Sequence, residues 1–554
     1  MTKICLKNGT VWLLLIFLLA PVSVLAQRIE LITESDNVLP TNTDSSGRSR
    51  QPDHKIHFIL MPQLIDRSRI SQMLVWEFQE RMSKNAAHSY SRAYIYLTEK
   101  LDGQTSGEYS RLLTNIWDQA EREGVDTDFL TELTVKPLTG QQTPDDDLSE
   151  EELLAQHQSR FIRGIAEKQA DYARFSLREH PEQLDAVKRF VEDFATVFRH
   201  IEEGSRCDYC DFGIPFRETD NPIGLLIPEI SNMRGLSRAM SVKIMLEIHE
   251  KRYEDALHSI RVGLAMSRHT GKQPCMVSGL IGIAIQNLFL EQVQDMVNSS
   301  DCPNLYWELS SLPYPFLQFV DSAEIEKQAL PQTFPLLRKA MTDPDAVLDD
   351  EWRLMFRQID EVLGEMDNDW QLPKLPVNSF TIASYPAARK WLIGQGKSAS
   401  EIDTMIPEKV VGLHTAHEIH MIYGEIFKDM YLPLWEQYDA NEDFIRKYLQ
   451  EFPGGNIVVH RLIGIFWPVI HGARSAYQRM QFSIDIMRIA EALRDFTARH
   501  EGQLPESLDA ITQVPIPVID PFTGRHYDYK LIDGKGRIET KMFPPTIVIF
   551  EMAK

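Results

Sequence analysis

The densest run of metal-ligating side chains in this sequence is His414-Thr-Ala-His417-Glu418-Ile-His420. On a helix, His414, His417 and Glu418 fall at i, i+3 and i+4, so one face offers two imidazoles and a carboxylate to zinc or a similar ion. The protease-type pattern H-E-x-x-H is not formed, because Met421 stands where its second histidine belongs. Histidines on a helix face more often sit at the surface or the core edge. His414, His417 and Glu418 are therefore metal candidates only, and no metal or other cofactor is assigned.

Cys207-Asp-Tyr-Cys210 is the second chemical signature. A C-x-x-C pair suits a local disulfide, a redox couple or half a metal site. The flanking sequence lacks the strand-helix-strand pattern that frames redox motifs, so the reading favours a mutual disulfide of Cys207 and Cys210, or structural thiols, in a loop. Cys275 and Cys302 do not suit a bridge to each other. A helix from Met276 to Asn298 would hold them about 33 Å apart, far beyond disulfide reach.

Other chemistries fail on spacing. Gly396-Lys-Ser398 imitates the end of a phosphate loop, but Trp391 occupies the place of its first glycine. Gly394-x-Gly396-x-x-Ala399 follows helical sequence rather than the strand a dinucleotide fingerprint needs. No G-x-S-x-G elbow occurs. A Ser-His-Asp set assembled only by the fold leaves no trace in sequence, and no catalytic residue is assigned.

The elements that would position these groups read as helices from His54 to about Ser475. Leu184, Val187, Val191, Phe194, Phe198 and Ile201 make the clearest stripe, with 3-4-3-4-3 spacing. Ser149-Glu-Glu-Glu152 and Ser398-Ala-Ser-Glu401 fit the capping box, so a helix is expected to start at each. Gly204, Gly271 and Gly502 follow periodic runs closely, as left-handed helix-closing residues do. Prolines are expected at the joints. Asn232 to Thr270 reads as a hairpin of two helices about Lys251. Met276 to Leu290 and Ile457 to Ala473 are apolar, but their polar residues and length favour buried core helices over membrane spans.

The pattern then changes. Phe482, Ile486, Ile489, Leu493 and Phe496 form the apolar face of one helix, followed by Asp520-Pro521 as a turn, alternation in His526-Tyr-Asp-Tyr-Lys-Leu, a turn at Asp533-Gly534 and the apolar run Thr546-Ile-Val-Ile-Phe. The fold class read from this is mainly α: a multi-helix, hairpin or solenoid-like body with a small C-terminal α+β module. The expected division is 54–340 for one helical domain, 341–475 for a second helical region, and 476–554 for a helix plus a small antiparallel sheet.

The N-terminus reads as an export signal: Lys3 and Lys7, the apolar Val11 to Ala20, Pro21, and the cleavage motif Val24-Leu-Ala26. Residues 1–26 are expected to be removed. The Ser/Thr/Asn/Asp-rich 27–53 reads as a flexible linker. The expected location is extracytoplasmic, periplasmic or secreted, with no transmembrane segment after cleavage. A net charge of −22 without a dense Lys/Arg cluster excludes nucleic acid as the expected partner.

Asn85-Ala-Ala-His-Ser-Tyr-Ser-Arg-Ala93, the stretch from Cys207 through Leu290, Ser379 to Pro433, and Leu504-Pro-Glu-Ser-Leu-Asp509 with Asp520-Pro-Phe-Thr-Gly524 together resemble a family of large, exported, mostly helical proteins of planctomycete-type bacteria. The resemblance implies an architecture and a compartment, and no reaction. The expectation is an exported helical scaffold that binds protein partners of the cell envelope. The alternative is an extracytoplasmic hydrolase or metal-dependent enzyme with a site near His414 to His420 or in an inter-helix cleft.

Overall fold

The computed structural model describes residues 54–66, 74–102, 181–219, 227–366, 377–428, 456–517, 519–540 and 546–553, with a few single positions between these stretches. The export signal, the 27–53 linker and the capping box at Ser149 lie outside the described residues. The chain is mainly α with a small C-terminal sheet region, as its periodicity implies.

The body does not begin with a helix. Its first element is strand β1, His54–Leu60, in which Ile56, Phe58 and Leu60 alternate with polar or exposed residues, and Phe58 and Leu60 are buried. Strand β1 pairs in parallel with the last strand, so the ends of the described chain meet in one sheet.

After strand β2 (Met82–Asn85) come helices α1 (Ala87–Asp102), α2 (Leu184–Asp193) and α3 (Ala195–Ser205), then strand β3 (Cys207–Tyr209). The stripe from Leu184 to Ile201 is thus two helices and not one. The break falls at Phe194, whose backbone leaves the helical region while its ring stacks on Phe190 at 4.4 Å between centroids. Both rings are buried, and the backbone hydrogen bonds from Phe194 to Phe190 and from Phe198 to Phe194 persist across the break.

The central layer is α4 (Pro228–His249), α5 (Tyr253–Gly271) and α6 (Met276–Val297), each packed on the other two. Lys251 sits in the left-handed region at φ 59. There the Arg252 N–H reaches the Glu247 carbonyl at 2.8 Å and the Lys251 N–H reaches Ile248, so the hairpin closes tightly without glycine. Of the three glycines expected to close helices in a left-handed conformation, only Gly502 does so. Gly204 and Gly271 are helical instead, and they are small for packing reasons: an added Cβ would lie 2.7 Å from the Tyr90 ring and 2.6 Å from Leu317, respectively. Helix α6 is long and apolar enough to cross a membrane by length and composition, and 72% of that window is buried in the protein.

The chain continues through α7 (Tyr306–Ser310), α8 (Phe319–Thr333), α9 (Pro335–Thr342), α10 (Asp349–Met366), α11 (Val377–Gly394), α12 (Ala399–Asp403) and α13 (Pro407–Phe427). Proline is not confined to joints, since Pro331 lies inside α8 and Pro386 inside α11. Ser398 forms the expected capping box with Glu401 at the start of α12.

Helix α14 runs unbroken from Ile457 to Arg499, through position 476 where the C-terminal module is expected to start. It touches α6, α7, α11, α13 and β1, which makes it the spine of the molecule. Its five-residue stripe from Phe482 to Phe496 is buried throughout. Strands β4 (Tyr529–Ile532), β5 (Lys535–Thr540) and β6 (Thr546–Met552) follow, and the sheet order is β1-β6-β5-β4. This sheet has four strands and mixed pairing, where three antiparallel strands are expected from the sequence. Asp533 and Gly534, both at positive φ, form its two-residue hairpin turn.

Candidate functional site

Helix α13 carries His414, His417 and Glu418 as the spacing requires, but the two imidazoles face an indole. Trp391 of α11 lies 5.1 Å from the His414 ring, nearly parallel to it, and 4.9 Å from the His417 ring. His414 is buried, and its Nε2 stands 3.4 Å from Glu418 Oε1. Burial, with neighbouring His417 second, pulls the His414 pKa down to about 4, so the ring is neutral at pH 7. His417 and His420 are exposed. Among the described residues no three His, Cys, Asp or Glu side chains converge as a metal would require. What the arrangement does is join α11 to α13 through an aromatic stack.

Cys207 is not in a loop. It opens β3, which pairs with β2 in parallel, and both Cys207 and Cys210 are free thiols in this structure. Burial raises both thiol pKa values, so neither is poised as a thiolate. Their carbonyls do the joining: Cys210 accepts from Gln273 Nε2 at 2.6 Å, and Cys207 accepts from His269 Nε2 at 2.9 Å. Since His269 Nε2 faces a carbonyl, it carries the proton, and Nδ1 accepts the Tyr90 hydroxyl at 2.8 Å. Burial pulls the His269 pKa down to about 4 and raises that of Tyr90. This Tyr90–His269–Cys207 chain ties α1, α5 and β3 together. Cys275 and Cys302 flank helix α6 at its two ends, and both are buried. Gly396-Lys-Ser398 is a helix joint, with Gly396 at φ 91 and the Lys397 N–H bonded to Leu392.

Glu326 and Asp485 are buried carboxyl groups that the sequence reading does not single out. Glu326 of α8 accepts the Met276 N–H at 2.8 Å at the start of α6, and burial pushes its pKa up to about 8. Asp485 of α14 takes a hydrogen bond from Gln481 at 3.2 Å and lies 3.9 Å from the Arg488 guanidinium. Burial nevertheless drives its pKa up to about 7. Facing it across the fold are Tyr314, Tyr527 and Asp520, the last also raised by burial. The Asp520 carboxylate accepts the Phe522 N–H at 2.9 Å and the Thr523 hydroxyl at 3.2 Å, which shapes the D-P-F-T-G turn. A carboxyl near pH 7 beside a second one has the proton affinity of an acid-base pair. Both are almost fully covered, however, and the turn that Asp520 shapes is held to α14 by Gln478, whose Nε2 donates to the Pro521 carbonyl at 3.4 Å.

Nearly two turns further along α14, Glu491 and Arg494 form a fully buried bidentate pair at 2.9 and 3.0 Å. Arg494 also donates to the carbonyls of Met61 and Cys302, each at 2.9 Å. Every strong donor here has an acceptor, which is the condition for burying an ion pair. The sequence signal for these groups is the polar series Gln481, Asp485, Arg488, Glu491 and Arg494 inside an otherwise core-facing helix.

Comparison with known proteins gives no match: no family model, no curated protein and no solved structure aligns significantly with this chain.

Proposed function

We propose that this chain is an exported helical protein that works in the cell envelope by binding another protein, as a scaffold or interaction module. We also place it with the planctomycete-type exported proteins its motifs resemble. The observation that carries the binding reading is the use made of the chemistry-bearing side chains. His414 and His417 pack on Trp391, the carbonyls of Cys207 and Cys210 hold His269 and Gln273 respectively, and the turn that Asp520 shapes is tied to α14 by Gln478. Each group joins elements instead of opening on a shared cleft.

Recognition then falls to the surface. Helices α11 and α13, which pack together, turn Ile382, Ile393 and Met421 outward, with Ile382 73% exposed. In envelope extracts, tagged wild-type protein should retain a reproducible protein partner that Ile382→Glu loses, since this side chain can be changed without entering the core. Equal retention by both proteins contradicts the reading. So does near-stoichiometric zinc in purified protein that disappears on His417→Ala, which would favour the metal-enzyme alternative.

A further inference from the structure

No dense basic cluster exists in the sequence, yet the fold assembles arginines from distant positions. Along the outer face of α5, His258, Arg261 and Arg268 recur at helical spacing. The segment carrying Trp76, Phe78 and Arg81 lies against this face. The Arg206 and Arg261 guanidiniums stand 4.7 and 5.0 Å from the Trp76 ring, and His258 meets its edge. Arg81 sits over Phe78.

The local charge balance is uneven. Arg206 pairs closely with Glu202 at 2.6 Å, and Arg261 reaches Glu80 only at 3.5 Å. Arg81 has Asp208 no nearer than 3.9 Å. Arg268 has no carboxylate within salt-bridge distance among the described residues, and the charge that bears on it is that of Arg81. Arg268 stands at the end of this cluster: its neighbour His269 reaches the Cys207 carbonyl, next to Arg206, whose own carbonyl accepts the N–H of Met82 beside Arg81.

Hydrogen bonding shows the same deficit. Trp76 Nε1, Arg261 Nε and Arg268 Nε are all buried, and among the described residues none has an acceptor. Trp76 is only 8% exposed. All three are donors. Buried donors are nearly always satisfied in folded proteins, so what this corner lacks is an acceptor-rich group of negative charge. Arginine forks recognise such groups in phosphates and carboxylates.

We propose that the corner between α5 and the Trp76–Arg81 segment is an oxyanion-binding site, in which Arg81 and Arg268 grip a phosphate or carboxylate group beside the wall formed by Trp76 and Arg261. The ligand is anionic, which is notable for a protein that itself carries −22. The remaining charge of the site must therefore be local and short-ranged, and its binding sensitive to salt.

Isothermal titration of the full chain with inorganic phosphate, against chloride at matched ionic strength, tests this. A second arm uses acetate and separates a carboxylate site from a phosphate site. Saturable heat in either arm is expected. Arg268→Gln should raise the dissociation constant about tenfold to a hundredfold, the scale of one lost charge-assisted hydrogen bond. Arg81→Gln, at a side chain 45% exposed and so tolerant of change, should weaken binding in the same direction while leaving thermal unfolding in chloride unaltered. Arg353→Gln, an arginine of α10 with its own carboxylate partner, should bind as wild type does. Absence of saturable heat in both arms overturns the proposal, and so does equal binding by Arg81→Gln and wild type.

Discussion

Asp485 shows how burial reverses a side chain's ordinary behaviour. Its pKa stands at about 7 against an ordinary 3.8, with Gln481, Arg488, Tyr314, Tyr527 and Asp520 as the polar and titratable groups around it. A carboxyl raised in the folded state stabilises in full below its unfolded pKa, and that contribution drains away as pH rises through the folded value. Urea midpoints of the wild type should therefore fall between pH 5 and pH 8. In Asp485→Asn the fall should be clearly smaller, with a remainder from Glu326, which has the same sign and a pKa of about 8. An unchanged pH slope in the variant would show that Asp485 is ionised in the fold. The sequence makes the residue types of this cluster visible and their meeting invisible. Asp520 is readable as a turn residue, but nothing local brings it to Asp485. The same holds for His414 and His417, whose shared helix face follows from spacing while the Trp391 ring between α11 and α13 does not.

At the scale of elements, what was legible is what depends on neighbours in sequence. The capping box at Ser398, the two-residue turn at Asp533-Gly534 and the apolar stripe of α14 all rest on contacts within one or two turns. What was not legible depends on tertiary packing. Strand β1 alternates as a strand should, but it is short, and only its pairing with β6 decides its conformation. Gly204 looks like a helix terminator and is instead a packing site. Gly204→Ala puts a methyl 2.7 Å from the Tyr90 ring, and that ring is fixed by its hydrogen bond to His269. The ring cannot swing away cheaply. The substitution should lower stability by about 1–3 kcal/mol, read from chemical denaturation. A neutral or stabilising result would mean that the α1–α3 contact is loose and that helix propensity governs the site.

At the scale of the whole molecule, the described core is one contiguous cluster, and it contains Phe58 from β1, Trp352 from α10, Leu493 from α14 and Phe550 from β6. The sequence-based division at 340, 475 and 476 follows changes of pattern along the chain, whereas α14 links those regions by touching helices on both sides of them and β1 as well. The buried polar groups of α14 add direction to this. Arg494 holds the carbonyl of Met61, the Gln63 N–H reaches the Arg494 carbonyl at 3.1 Å, and Asp495 receives the Ile65 N–H at 2.8 Å, so the chain leaving β1 is stitched to the spine. The outer edge of β1 is covered too. Its His57 carbonyl accepts from Gln294 and its Ile59 N–H donates to Asn298, so side chains at the end of α6 take the place of a further strand.

The central structural claim is that β1, the C-terminal sheet and α14 form one cooperative unit. Hydrogen exchange on the full chain carrying Phe58→Ala tests it most directly. Phe58 is buried and stacks on Phe550 at 5.5 Å, so its removal should cost about 3–5 kcal/mol. The account predicts that amide protection in β5, β6 and the second half of α14 falls together with that of β1, by a common amount. Loss confined to residues 54–60, with β6 and α14 as protected as in the wild type, would contradict it.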